Sequence, residues 1–389
     1  MKKKNLLKND AVQSLLASLG CIVFGLLVGY IVLLFIQPKG AGKAILTIIE
    51  NFFTYNRAET QMKYLGSTLV KTAPLLMCSL SILFAYKVGL FNIGAAGQYV
   101  VGSCASMLLA IAAGMAAGAI VGLLKTFCNV NEVISGIMLN WIFLYATNMI
   151  LTNVKEVASP YTYQMHSAAQ QALLPSLGLD KLFSGNQYVT IAIPLAILMA
   201  ILVWVVLEKT RFGYELKATG FNKHAAKYCG MAERRNTVLT LAIAGGLAAL
   251  GGSLLYQTGY EQWQCTHSSV PNMGFNGICA AFLGGLNPIG AIFSSFFIQH
   301  ITSGGAYVDK SLYCSQISDL ITAIIIYMCG FVLFLKTAMN NSAARREERQ
   351  RLAAGSADNA PETAPASEPE REAASPQAPA DSEKGGEAQ

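Results

Sequence analysis

The chain has 389 residues, of which 53% are hydrophobic and only 13% charged. Soluble globular proteins carry about 25% charged residues, so this composition excludes an ordinary soluble domain and points to lipid as the main solvent. The net charge of +6 is unevenly spread: from Asn341 onward there are six Lys/Arg and ten Asp/Glu, against 22 and 12 in the remainder. The basic residues sit at the ends of apolar runs, as the positive-inside rule expects, and are not interleaved with exposed aromatics, so nucleic acid is not an expected partner.

The start, MKKKNLLKND, is basic and precedes an apolar run over 15–36. A secretory signal has a shorter apolar core and a small-residue cleavage site. This run is about 20 residues long and ends at Gln37-Pro38-Lys39, which predicts a retained first span with residues 1–14 in the cytoplasm. Further spans are expected over 66–86, 99–124, 133–151, 188–207, 238–256, 275–286, 289–302 and 317–335. Two outside loops are expected, over 37–63 and 153–186. The segment 208–235 carries Lys209, Arg211, Lys217, Lys223, Lys227, Arg234 and Arg235, which assigns it to the cytoplasm; Lys336, Arg345 and Arg346 assign the C-terminal side there too.

One crossing at 99–124 would put the basic segment outside, whereas two would return it to the cytoplasm. About 26 residues are too few for two full spans, so a short hairpin bent at Gly114 and Gly118 is expected, shielded by neighbouring helices. The reading is then an all-α polytopic membrane protein of about ten crossings. Its permease region is 15–336, and residues 337–389, rich in Ala, Pro, Glu and Ser, form a disordered cytoplasmic tail.

Three segments carry functional signal. FNIGAAGQ (91–98) sets Asn92 and Gln98 beside Gly94 and Gly97, just before an apolar run. Amides at membrane depth are costly unless they pair or line a cavity, so both a pathway lining and a glycine packing motif fit. GFNGICAAFLGGLNPIG (274–290) again places Phe-Asn, here Phe275-Asn276, in a glycine-rich stretch, and Asn287-Pro288 marks a break between two half-length helices. The shared Phe-Asn pattern suggests an internal repeat, and repeat interfaces are where transport pathways lie. The third segment, 208–231, predicts a short helix near 214–219, a stop at Gly220 and a second start capped by Asn222. It fits a docking element for a cytoplasmic partner or an amphipathic helix on anionic lipid.

In this order and spacing, the three segments resemble the permease subunits of bacterial ABC importers for nucleosides and simple sugars, over about 65–335. KVGLFNIGAAGQ is similar to the nucleoside-type branch. The run from Arg211 to Met231 resembles the coupling loop of these permeases, with Gly213, Glu215, Ala218, Gly220 and Asn222 matching its pattern. The resemblance implies a type II-importer-like fold with two inverted-like halves in the bacterial cytoplasmic membrane. It also implies two permease subunits, identical or homologous, a separate ATPase that binds ATP and Mg, an extracytoplasmic substrate-binding protein, and lipid contact. It places Phe91, Asn92, Gln98, Phe275 and Asn276 along the pathway, and Arg211, Gly213, Glu215, Ala218, Gly220 and Asn222 at the ATPase. The chain departs from the family at Ala96, where an acidic residue is usual, at Asn276, where Asp is usual, and in the short stretch 99–124.

No P-loop, HExxH or GxSxG motif occurs, and His166, His224, His267 and His300 lie far apart in sequence, so neither a catalytic role nor a cofactor on this chain is expected. A carrier working without an ATPase is the alternative; the scarcity of intramembrane carboxylates, with Glu132 and Asp319 at span edges, counts against proton coupling. Most of the nine cysteines lie in apolar runs as small hydrophobes. Cys265 and Cys314 fall in segments read as outside, and spacing does not decide whether they pair.

Overall fold

A computed structural model describes residues 10–153, 162–163, 170–309, 311–313 and 316–331, with isolated positions up to 345. Residues 1–9, His166, Cys314 and nearly all of the acidic tail lie outside the described residues. The chain divides into a unit of Met1–Met339 and a second of Asn340–Gln389.

Among the described residues, the helices of the first unit longer than one turn are α1 (Asp10–Ile36), α2 (Ala41–Glu50), α3 (Ala58–Lys87), α4 (Ala95–Ser103), α5 (Met107–Cys128), α6 (Glu132–Thr152), α7 (Ala192–Lys209), α8 (Arg211–Phe221), α9 (Lys223–Tyr228), α10 (Glu233–Tyr256), α11 (Asn272–Leu283), α12 (Pro288–Gly304) and α13 (Ile317–Cys329). Among the described residues, α1, α3, α5, α6, α7 and α10 are long and apolar enough to cross a membrane. The other apolar segments of the expected ten crossings are shorter helices, of 9 residues in α4, 12 in α11, 17 in α12 and 13 in α13. The loop expected over 37–63 is largely helical, and part of the second loop expected outside, Thr162–Tyr163, pairs antiparallel with Trp263–Gln264.

Two helices form the centre. In α3, 89% of the membrane-length window is buried and in α10 83%, against 28–33% for the other four spans. Leu76, Leu80 and Leu83 of α3 pack with Ala196, Ala200 and Val203 of α7 and with Leu247, Leu250 and Leu254 of α10. A second core joins α1 and α2 to α12 and α13 through Leu33, Ile48, Ile298 and Ile321.

The hairpin expected at Gly114 and Gly118 is not what forms. The chain breaks earlier, over residues 104–106, between the half-length α4 and the full-length α5. The Ala105 carbonyl exposed by the break accepts from the Ser253 hydroxyl at 3.3 Å and the Gln257 amide at 3.4 Å, which meets the demand that lipid-depth backbone be satisfied internally. Gly114, Gly118 and Gly122 instead lie within unbroken α5 and form the seam against α10. A β-carbon at Gly118 would lie 2.0 Å from the Leu241 carbonyl oxygen, and one at Gly245 would lie 2.2 Å from that of Gly114. Small residues four apart let two helix backbones approach where side chains would hold them apart.

The break between α11 and α12 falls where the sequence places it. Leu286 is left-handed (φ 55°), the Asn287 side chain accepts from the Ile289 amide at 2.9 Å, and Pro288 opens α12.

Candidate functional site

The FNIGAAGQ segment folds into a turn held by buried amides. Asn92 donates through Nδ2 to Ser81 Oγ at 2.9 Å and to Gln98 Oε1 at 2.8 Å. Gln98 Nε2 is buried and has no hydrogen-bond partner among the described residues. Phe91 is half-buried at the start of the turn. The turn is clamped from outside by Asn140 of α6, whose Oδ1 accepts from the Gly97 amide at 2.8 Å and whose Nδ2 donates to the Ile93 carbonyl at 3.1 Å. A β-carbon at Gly97 would sit 2.6 Å from the Asn140 Cα, so this clamp requires glycine. Asn140 was not among the residues singled out from sequence, although a lone amide inside an apolar run carries the same signal as Asn92.

The second glycine segment meets the first. A β-carbon on Gly274 would lie 2.4 Å from the Ala96 Cα, so α11 rests against α4 where the resemblance expects an acidic residue. Ala96 is fully buried there, and a longer side chain would collide with α11. The two Phe-Asn pairs are not equivalent in structure. Phe91-Asn92 precede α4, whereas Phe275-Asn276 lie inside α11, with Phe275 37% exposed and Asn276 half-buried. The fold thus joins Asn92 to Gln98 directly, and joins Phe275 and Asn276 to them only through the α4–α11 contact.

The segment 208–235 forms two helices where one helix and a second start were expected. Thr210 opens α8 by accepting from the Gly213 amide at 3.1 Å, and Asn222 caps α9 by accepting from the Ala225 amide at 3.0 Å. Gly220 does not stop α8, which runs on to Phe221. Its role is contact, because a β-carbon there would lie 2.4 Å from the Val88 carbonyl group just beyond α3. Gly213 likewise abuts the Val206 carbonyl at the end of α7. Asn236 of α10 donates to Thr219 Oγ1 at 3.0 Å, and Glu215 lies 3.9 Å from Arg235. The pair α8–α9 is thereby fixed to the ends of three spans. Arg211 is exposed, Ala218 is half-buried, and Tyr214, Phe221 and Tyr228 stand out at 66%, 90% and 93% exposure. These three aromatics escaped the sequence reading, which weighed charge and glycine spacing in this segment.

Of the acidic residues at span edges, Glu132 pairs with Lys125 across the α5–α6 turn, and Asp319 is exposed. Among the described residues no three His, Cys, Asp or Glu side chains are grouped to hold a metal.

Residues 64–330 match the family described as branched-chain amino acid transport system / permease component. The chain belongs to this family. The permease is 32% identical over 285 residues to the guanosine ABC transporter permease protein NupP of Bacillus subtilis (strain 168), covering 68% of this chain and 80% of that one. It is 29% identical over 371 residues to the nucleoside ABC transporter permease protein NupB of Lactococcus lactis subsp. cremoris, covering 86% and 96%. A more distant relative is the glucose ABC transporter permease protein TsgB13 of Haloferax volcanii, 25% identical over 295 residues, covering 69% and 77%. The chain is therefore a multi-pass permease of the cell membrane, built around α3 and α10.

Proposed function

We propose that this permease is the membrane-spanning subunit of an ATP-driven importer of nucleosides. The substrate class follows the names of NupP and NupB, which match at higher identity than the glucose permease does, NupB also over more of the chain. The observation that carries the mechanism is the α8–α9 platform. Three exposed aromatics stand on helices whose other faces are pinned to the ends of α3, α7 and α10. Exposed aromatic anchors on a rigid base are what a protein partner needs at the centre of an interface. The partner is a separate ATPase chain that binds ATP and Mg. In this reading, 208–235 faces the cytoplasm with both termini, and a substrate-binding protein delivers solute at the other face. A second permease subunit completes the pathway.

In transport, movement of the docked ATPases passes through α8 to the ends of α3 and α7 without being absorbed by a loop. Phe91, Asn92, Gln98, Phe275 and Asn276 line the pathway near the α4–α11 contact. The unpartnered amide of Gln98 is a donor that a passing polar solute can use, since a buried donor left unmade is costly. The test is co-purification with candidate ATPase chains, comparing wild type with a Glu215→Arg, Gly220→Trp double variant. Retention of an ATPase by the wild type, and its loss from an inserted variant, is the expected result. Solute transport in liposomes by the purified chain alone would overturn the reading.

A further inference from the structure

At the end of α3 remote from α8, a set of half-exposed tyrosines lies along the same helix face as an ion pair. α3 has 30 residues, so its ends are about 45 Å apart at 1.5 Å per residue. The Lys87 end leads to Val88, against which Gly220 of α8 packs, and the other end therefore lies toward the opposite face. There the rings of Tyr55 and Tyr64 stack with centroids 4.8 Å apart and planes within 2°, and Tyr307 meets them edge-on at 5.6 and 5.8 Å. Two turns further along α3, on the face of Tyr64, Lys71 lies 3.6 Å from Glu261. The Lys71 ammonium stands 5.2 Å over the ring of Tyr260. The stack and the ion pair are joined through α3 itself, which carries Tyr64 and Lys71 about 10 Å apart on one face.

Three features separate this cluster from an ordinary interfacial tyrosine belt. These rings stack on and edge one another, an arrangement that enrichment of tyrosine at the interface does not by itself require. Lys71 sits eight residues beyond Lys63, inside a span, where an ionisable side chain is expensive and marks function by default. The pair is also open: the side chains of Lys71 and Glu261 are 31% and 38% exposed, and neither has a second ion-pair partner among the described residues. A lysine with three donors and a carboxylate with two acceptor oxygens keep capacity for a polar ligand.

We propose that Tyr64, Tyr307 and Tyr260 with the Lys71–Glu261 pair form an entry subsite for a planar heterocycle carrying hydrogen-bonding groups, at the mouth opposite the α8–α9 platform. The ring of the ligand stacks on tyrosine, and its polar edge exchanges with the ion pair, Lys71 donating and Glu261 accepting. The solute is held by exchange of hydrogen bonds and released inward. The proposal rests on the nucleoside reading and deepens it, assigning recognition of the base to residues outside both glycine segments.

The test is uptake of radiolabelled guanosine by the assembled transporter, measured across the saturation range, with ribose as a second probe. Stacking of a base on an aromatic side chain contributes about 1–3 kcal/mol, so Tyr64→Leu and Tyr307→Leu are each expected to raise the half-saturating concentration about fivefold or more. Lys71→Met is expected to raise it in the same direction, Tyr64→Phe to recover most of the loss, and Tyr145→Leu, at an exposed tyrosine of α6, to match wild type. Membrane yield and basal ATP hydrolysis report assembly. If Tyr64→Leu does not assemble, Tyr307→Leu and Lys71→Met carry the test. The proposal fails alone if wild type takes up guanosine and the assembled variants saturate as it does, or if Tyr64→Phe loses as much as Tyr64→Leu. It fails together with the nucleoside reading if wild type takes up ribose and not guanosine, which wild type alone reveals.

Discussion

Replacing Gly118 by alanine tests the glycine seam at the centre of the fold. The new β-carbon would lie 2.0 Å from the Leu241 carbonyl oxygen, 2.8 Å from its carbon and 3.2 Å from the Ala242 Cα. Even a close carbon–oxygen contact needs about 3.3 Å, so α5 and α10 must part by roughly 1.3 Å. The obstacle is backbone, which no rotamer change removes. Overpacking a close-packed interior costs about 1–3 kcal/mol. Here relief also loosens the neighbouring contacts of Gly114, Gly122 and Gly245, and a gap of 0.5–1 Å forfeits about a quarter to a half of each dispersion well. The upper end of the range, about 3 kcal/mol, is therefore expected. At a little over ~1 °C per kcal/mol for a chain of this length, the melting temperature of the detergent-solubilised protein should fall by about 4 °C. The control is Gly20→Ala in α1, where a β-carbon meets nothing within 4 Å and helix propensity favours alanine. Thermal unfolding followed by size-exclusion fluorescence reads both. Equal melting temperatures for Gly118→Ala and Gly20→Ala would refute the seam.

Asn140→Leu should leave the Gly97 amide and the Ile93 carbonyl unpaired, costing about 1–3 kcal/mol each, and should lower both melting temperature and uptake. Unchanged uptake in a folded Asn140→Leu protein would remove the FNIGAAGQ turn from the mechanism. Phe221→Asp and Tyr228→Asp, at 90% and 93% exposure, should leave melting unaffected and abolish ATPase co-purification. If the ATPase stays bound to both, the docking face lies elsewhere on the chain.

Much of the local structure is legible in the residues. The Asn287-Pro288 break and the Asn222 cap form where expected because each depends on one residue and its immediate neighbours. Gly220 illustrates the limit. A glycine near a helix end reads as a stop, but α8 continues past it because its missing side chain is needed against Val88, a residue more than a hundred positions away. Gly114 and Gly118 show the same ambiguity: they permit both a bend and a seam, and only the approach of α10 selects the seam.

What the sequence alone determined is the membrane character of the chain, the basic segment around 208–235, the glycine segments that carry the family likeness, and the absence of a P-loop motif. What the tertiary structure decided is which spans are central and which polar residues meet. The most apolar span, α1, and the least apolar, α6, are equally little buried, while α3 and α10, which lie between them in hydropathy, form the core. In lipid, apolar surface gains nothing by turning inward, so the centre goes to helices with small residues and polar groups that pair, and hydropathy cannot announce which partners they will find.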